Sequence, residues 1–527
     1  MKSKHKLPIA IGIISILITS CQEIKTEHKA EEKVEAGTSI EQIKSKYNTD
    51  IPSKILTPDE VDTRIGTLHF FDGLPSEATV EKVYNNLDFM RGVETFLNGI
   101  PATSIEGLRL GLEEIGVTAS NKVAIFDDLM DSNGLFLTGN TSTVYATTFL
   151  NLQENGPTVV EIPAGCGPGT VNDAFFRFVV DMGAPGPDRG KGGKYLILPP
   201  DFEGEQPEGY FVAKSTSYMN WLILRGFLVD GKTDVSSKMY HDGLKIYPLK
   251  DIDNQPAMEF INASKKEFNT IHANDYDFYT ELNEVIQREP VSFLDPELRG
   301  LFASIGIQKG TSFSPDQRMQ DILKDAVMVA NATARAITFK TREKEASIYE
   351  TGHWESGFLG GSYQWLKENG TGGRYLDART RFFYVATVNT PAMVLKMVGL
   401  GSQYAACFLD SKGNYLNGGK NYTLNVPANA PAKDFWSVVM YDPQTRSELQ
   451  TDQPLPSVSS QRTPLVKNED GSVTLYFGPA NNAPEDKKAN WLQSVDGKGF
   501  FVLFRLYGPL QPWFDKTWQP GDFELVK

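Results

Sequence analysis

Short apolar and β-branched runs separated by turn residues recur along the chain. Toward the C-terminus lie Asn421-Tyr422-Thr423-Leu424, Phe435 to Asp442, Lys488-Ala489-Asn490-Trp491-Leu492 and Phe504-Arg505-Leu506-Tyr507. Most are bounded by Gly, Pro, Asn or Asp, the pattern of sandwich strands. Further strands are predicted at Val123 to Phe126, Leu135 to Leu137, Val144 to Leu150, Thr158 to Ile162, Tyr195 to Leu198 and Gly209 to Ala213. Turn-rich links join most of them, which favours a sandwich over βαβ units. Leu68 and Phe70 alternate with His69 as in a half-buried strand, and Asp72-Gly73 makes a turn.

The period changes at two places. Ser76 is predicted to cap a helix with Val80, Val83, Tyr84, Leu87, Met90, Val93 and Leu97 on one face. Asp275 precedes a second amphipathic pattern (Phe278, Tyr279, Leu282, Val285, Ile286) that ends before Pro290. Ser314-Pro315 is predicted to open a third helix, with Gln317 completing a capping box. The stretch Trp354 to Trp365 is loop-like. The predicted class is mainly β with a helical subdomain. An N-terminal β-sandwich with a leading helix is expected at 58–265, helices at 266–345 and a C-terminal β domain at 346–527.

Composition changes this picture little. A length of 527 residues exceeds one core and implies two or three domains. The 30 prolines and 46 glycines suit many turns. A formal charge of −14 disfavours nucleic acid and anionic lipid surfaces as partners.

The first residues change it more. Lys2, Lys4 and Lys6 precede an apolar stretch, Pro8 to Leu17, that is too short to span a bilayer and fits a signal segment. It ends Ile18-Thr19-Ser20-Cys21, similar to a bacterial lipobox. Residues 1–21 are therefore expected to be a lipoprotein signal, with lipid on Cys21 as the membrane link. Polar residues 22–57 are expected to form a flexible tether. Gln22 is not the Asp associated with inner-membrane retention, so the expected location is the outer membrane, on its periplasmic side or at the cell surface. Cys166 and Cys407 either pair in an oxidising compartment or are small buried residues.

Several segments carry a family resemblance. They are Arg64 to Leu68, Leu137 to Tyr145, Gly186 to Pro200 and Arg225 to Gly231. Together they resemble the domain-of-unknown-function family numbered 1254; the segment from Tyr404 onward resembles its usual companion, family 1214. The first family often has Asp where this chain has Ser142. The resemblance implies an immunoglobulin-like sandwich, a helical insertion and a C-terminal jelly-roll sandwich. It implies no activity.

The chemistry-bearing residues do not form a known catalytic or metal pattern. The Gly-rich loop Gly183 to Lys194 fails the P-loop spacing. A structural loop is expected there, although Arg189, Lys191 and Lys194 are candidates for a carboxylate or sulfate. No HxH, HExxH or G-x-S-x-G pattern occurs. Cys166 lacks a nearby activating cation in sequence. Asp127, Asp128 and Asp131 would serve glycoside chemistry only at about 5–10 Å separation. No cofactor or metal is expected. Trp436, Tyr441 and Trp491 are either core aromatics or a stacking platform for sugar rings, with Asn140, Thr143 and Tyr145 as a polar rim. The function expected is therefore a ligand-binding or structural envelope lipoprotein, with carbohydrate or a small anion as ligand. An enzyme acting on envelope or scavenged carbohydrate is the alternative, and homo-oligomers suit a jelly roll.

Overall fold

Alternation along a few long strands positions everything that follows. The computed structural model describes residues 49–480 and 484–526. The signal segment, Cys21 and most of the tether lie outside the described residues. Residues 49–59 are exposed, with a single 3-10 turn at Ser53–Ile55. No helix among the described residues is long and apolar enough to cross a membrane.

The N-terminal sandwich pairs a six-stranded sheet with a four-stranded one. The six run in the order Glu259–Asn262, Lys122–Ile125, Thr143–Asn151, Met219–Phe227, Pro168–Asp173 and Phe178–Gly183. The four run Phe211–Lys214, Gly193–Leu198, Thr158–Ile162 and Lys245–Pro248. Because side chains alternate across a strand, each long strand serves two cores. Leu222 and Leu224 point between the two sheets with Val144, Ile197 and Ile246. Trp221 and Ile223 point the other way, into a second core shared with helices.

That helical layer is assembled from distant parts of the chain. Helices Asp277–Arg288, Pro296–Ala303 and Gln317–Phe339 pack with Glu77–Glu114 and Leu376–Val385. Phe96, Ile105, Leu282, Val327 and Phe383 fill one core with Trp221 and Tyr145 of the sheet. At Gly92 an added Cβ would stand 2.8 Å from the Ala326 Cβ, so glycine permits this close helix crossing.

Local differences from the expectations have identifiable causes. The leading helix continues beyond the face read from Val80 to Leu97 and runs to Glu114, with Pro101 inside it. Proline removes one backbone bond, yet burial of Ile100, Ile105, Leu108 and Leu112 holds the helix together. The third helix starts at Gln317, not Pro315. Asp316 is its cap and accepts from the Met319 amide at 2.8 Å. The strand expected at Leu135 to Leu137 is only Gly134–Leu135. Most of Lys488 to Leu492 is a 3-10 turn before the strand Trp491–Gln493.

The C-terminal part is a second sandwich. Its larger sheet runs Trp354–Glu355, Ser402–Cys407, Phe501–Pro509, Ala432–Tyr441 and Ser457–Ser459. Its partner sheet runs Trp491–Gln493, Val473–Gly478, Tyr422–Val426 and Phe523–Leu525. Val502, Phe504, Leu506, Val438 and Met440 face the core between them. Phe501, Val439 and Tyr441 face the opposite way, toward the rest of the chain. The protein is thus mainly β with helical parts, and its sheets are open.

Candidate functional site

Two Arg–Tyr pairs, one from each sandwich, meet at the junction. In the six-stranded sheet Arg225 lies opposite Tyr145, its guanidinium carbon 5.7 Å from the ring centre. In the C-terminal sheet Arg505 lies opposite Tyr404, 5.3 Å from that ring. Each pair sits on the sheet face that turns away from its own sandwich core. Between them is a cavity of 240 Å³ that all four residues line.

The cavity wall combines several cations with apolar side chains. Arg225, Arg381, Lys396, Arg505 and Lys516 contribute to its lining, against the single acid Glu355. Glu355 is already committed to an ion pair with Arg381. Phe136, Phe358, Phe382, Val388, Leu503 and Phe514 supply much of the apolar wall. After burial, the largest influences on Arg225 and Arg505 are tyrosines, not carboxylates. The Arg505 Nε and the Tyr507 hydroxyl are buried with no hydrogen-bond partner among the described residues. Burial opposes ionisation of Tyr404, but Arg225 and then Arg505 outweigh it and hold this phenol below its ordinary range.

The clasp beside the cavity explains one of the sequence motifs. Arg505 Nη2 donates to the carbonyls of Thr138 (2.7 Å) and Gly139 (3.2 Å) and to the Tyr441 hydroxyl (2.7 Å). Tyr441 in turn donates to the Gly139 carbonyl at 2.6 Å. The Thr138 amide donates to the Arg446 carbonyl at 3.0 Å, and Thr141 and Ser457 hydroxyls meet at 2.6 Å. The segment Leu137 to Tyr145 is therefore where the N-terminal sandwich grips the C-terminal one.

The sequence-named candidates fall in different places. Tyr145 lines the cavity, and Asn140 fixes it by donating to its hydroxyl. Asn140 also accepts from the Ser142 amide and the Thr143 hydroxyl, so Asn140 and Thr143 shape the turn from buried positions. Tyr441 is wholly buried in the clasp. Trp436 stacks on Phe504 inside the C-terminal core, at 5.6 Å between ring centres. Trp491, on the smaller C-terminal sheet, does not line the cavity. Arg189 and Lys191 are exposed, and Lys194 pairs with Glu161 at 3.0 Å.

Several other titratable groups have local surroundings that explain them. Cys166 and Cys407 are both free and buried, and burial pushes the Cys166 thiol up to about 12. Asp127 accepts from Ser237 and meets His241 at 3.2 Å, Asp128 pairs with Lys265, and Asp131 accepts from the Lys265 amide. His353 stands 3.6 Å from Asp522. Among the described residues no group of three or more His, Cys, Asp or Glu is arranged to hold a metal.

Glu448 is an exception, because both its carboxylate oxygens are buried without a hydrogen-bond partner among the described residues. Burial drives its pKa up to about 8; Arg505 and Arg462 lower it and Asp131 raises it. Between the ordinary 4.5 and about 8 the folded protein holds a proton that the unfolded chain has lost. Stability from this group is full below that window and is lost as pH rises through it, by up to about 1.4 kcal/mol per pH unit. Glu281 and Glu289 are raised too, to about 8 and about 7. The discriminating measurement is the difference in thermal midpoint between Glu448→Gln and the parent from pH 5 to 8. It is expected to grow in favour of the variant as pH rises, and a constant difference would show that Glu448 does not titrate there.

The sequence reasoning missed Arg225, Arg381, Tyr404 and Arg505 as a set. The available signal was a lone arginine inside an otherwise apolar run, as in Trp221-Leu222-Ile223-Leu224-Arg225 and Val502-Leu503-Phe504-Arg505-Leu506. A buried cation needs partners or a cleft.

Comparison with known proteins agrees with the order and placement of the two family segments, although Arg64 to Leu68 lies outside the matched residues. Residues 120–248 match the model of a family described as protein of unknown function, DUF1254. Residues 401–511 match that of a second such family, DUF1214. No curated protein matches the chain. Among solved structures the chain is similar to the VPA0106 protein from Vibrio parahaemolyticus. Identity is 16%, 84% of this chain and 100% of that one are covered, and the TM-score is 0.52. An uncharacterized protein from Burkholderia cenocepacia is 12% identical, with 84% of this chain and 96% of that one covered and a TM-score of 0.35. The Vibrio likeness concerns the fold alone. A segment that matches DUF1254 is thus followed by one that matches DUF1214, and both contribute an Arg–Tyr pair to the cavity.

Proposed function

We propose that this protein binds a small organic anion with an apolar body in the cavity between its two sandwiches. The observation that carries the reading is the cation excess there, in a chain whose formal charge is −14. Cations inside an apolar enclosure cost desolvation energy unless an anion shares them. The apolar wall selects for the body of the ligand, as in most small-molecule sites. Residues 1–21 support a lipoprotein signal, so we place the site on an envelope protein held by lipid on Cys21. Cys21→Ser is expected to abolish labelling by a palmitate analogue in cells.

Calorimetry with benzoate, phenylacetate and hexanoate, against their neutral amides, tests the site. The acids are expected to bind and the amides not. Arg225→Gln is the variant of choice, because Arg225 is not part of the clasp. A charge-assisted hydrogen bond contributes about 1.5–3 kcal/mol, so binding is expected to weaken tenfold or more with little change in thermal midpoint. Equal binding of acids and amides, or an Arg225→Gln protein that binds as the parent does, would sink the reading.

A further inference from the structure

We propose that the cavity is catalytic, with Tyr404 moving a proton between its phenolic oxygen and the carbon beside the carbonyl of a bound aromatic 2-oxo acid. The inference rests on the reading of the cavity as an anion site and adds a reaction to it.

Tyr404 is the base assigned among the groups that line the cavity. Arg225 and Arg505 stay charged at any working pH and cannot accept a proton. Two other tyrosines stand by them, but the Tyr145 hydroxyl is held by the Asn140 amide and that of Tyr507 is buried. Tyr404 lines the cavity, and both guanidiniums act on it. A phenol whose ionisation two guanidiniums favour, on the wall of a cavity, is suited to taking a proton from carbon.

The same arginines define the substrate class. One guanidinium takes a carboxylate; the second faces the oxygen on which charge develops. A 2-oxo acid supplies both groups on adjacent carbons, and its carbonyl acidifies the next C–H. The apolar wall at Phe136, Phe382 and Val388 takes an aromatic ring on that third carbon. In the step, the Tyr404 phenolate forms an O–H bond as the C–H bond breaks. The C–H electron pair becomes the carbon–carbon double bond, and the carbonyl π pair moves onto oxygen to give an enolate. Return of the proton to carbon restores the keto acid; delivery to oxygen gives the enol. Nothing else is consumed.

Phenylpyruvate and the full-length protein test this. Calorimetry reads binding, and proton NMR in D₂O reads loss of the methylene signal. The protein is expected to bind phenylpyruvate and to speed exchange at least tenfold over buffer. Tyr404→Phe is expected to bind within about threefold of the parent and to lose the acceleration. Binding without exchange overturns the catalytic proposal and leaves the anion site standing; no binding overturns both. A Tyr404→Phe protein that exchanges normally, or that no longer binds, overturns the assignment of Tyr404. Should that variant not fold, the parent's rate–pH profile decides, because an apparent pKa at or above the ordinary phenol value of 10.0 contradicts the proposed base.

Discussion

Asp188→Ala is expected to destabilise the N-terminal sandwich by about 3–6 kcal/mol. The carboxylate is 5% exposed and lies at the centre of the Gly-rich loop. It accepts from the Gly183 amide at 2.8 Å, from the Gly192 amide at 3.2 Å and from the Tyr195 hydroxyl. Removing it strands these donors away from water, at about 1–3 kcal/mol each. The loop has no alternative packing to offer. Gly183 has φ +69°, and a Cβ there would stand 2.0 Å from the Gly167 carbonyl oxygen. The loop therefore closes tightly enough that only a side chain inside it can satisfy its amides. Asp188→Asn keeps one acceptor oxygen but turns an amide group toward donors, so it is expected to fall between Ala and the parent. Urea unfolding followed by tryptophan fluorescence checks both. A loss under about 1 kcal/mol for Asp188→Ala would show that water replaces the carboxylate.

That loop also shows how far the sequence could be followed. The failed P-loop spacing ruled out a phosphate cradle, and the glycines predicted a structural loop, which is what Asp188 organises. Strands such as Tyr195 to Leu198 and Phe435 to Tyr441 were legible because each is an apolar or β-branched run bounded by turn residues. Met219–Phe227 was not, since Asn220, Arg225 and Gly226 interrupt its apolar run. Pro168–Asp173 and Phe178–Gly183 were hidden by their own Pro and Gly, which read as turns. The helix past Pro101 was hidden because local propensity argues against it and tertiary burial decides the outcome. For the site, the aromatic residues of the C-terminal domain were conspicuous but ambiguous. Trp436 went to the core, whereas Tyr145 went to the cavity through a cross-strand pairing that no local pattern encodes. Arg225 and Arg505 are juxtaposed only by the docking of two sandwiches, which sequence distance does not reveal.

Arg505→Met is the second substitution with a large expected effect, because it acts on that docking. The guanidinium is 5% exposed and bonds two carbonyls of the opposite sandwich and the Tyr441 hydroxyl. Met has similar length and fills the space, so the loss isolates hydrogen bonding and charge from packing. Removing one partner from a buried charged network costs about 3–5 kcal/mol, and here the Thr138 and Gly139 carbonyls lose this donor at the domain junction. The cost should fall on the junction and not on either sandwich core, whose residues Arg505 does not face. Unfolding is therefore expected to separate into two transitions, and amide exchange in residues 137–145 to speed up before exchange in Val502 or Phe504. Arg505→Lys is expected to recover only part of the loss, since the strongly hydrated ammonium is costlier to bury than the delocalised guanidinium and does not reproduce its shape. A variant that keeps one cooperative transition, with exchange at 137–145 unchanged, would mean that the Thr141–Ser457 and Thr138–Arg446 contacts hold the two sandwiches together without Arg505. Arg505 would then be free of structural duty and could be assigned to the ligand alone.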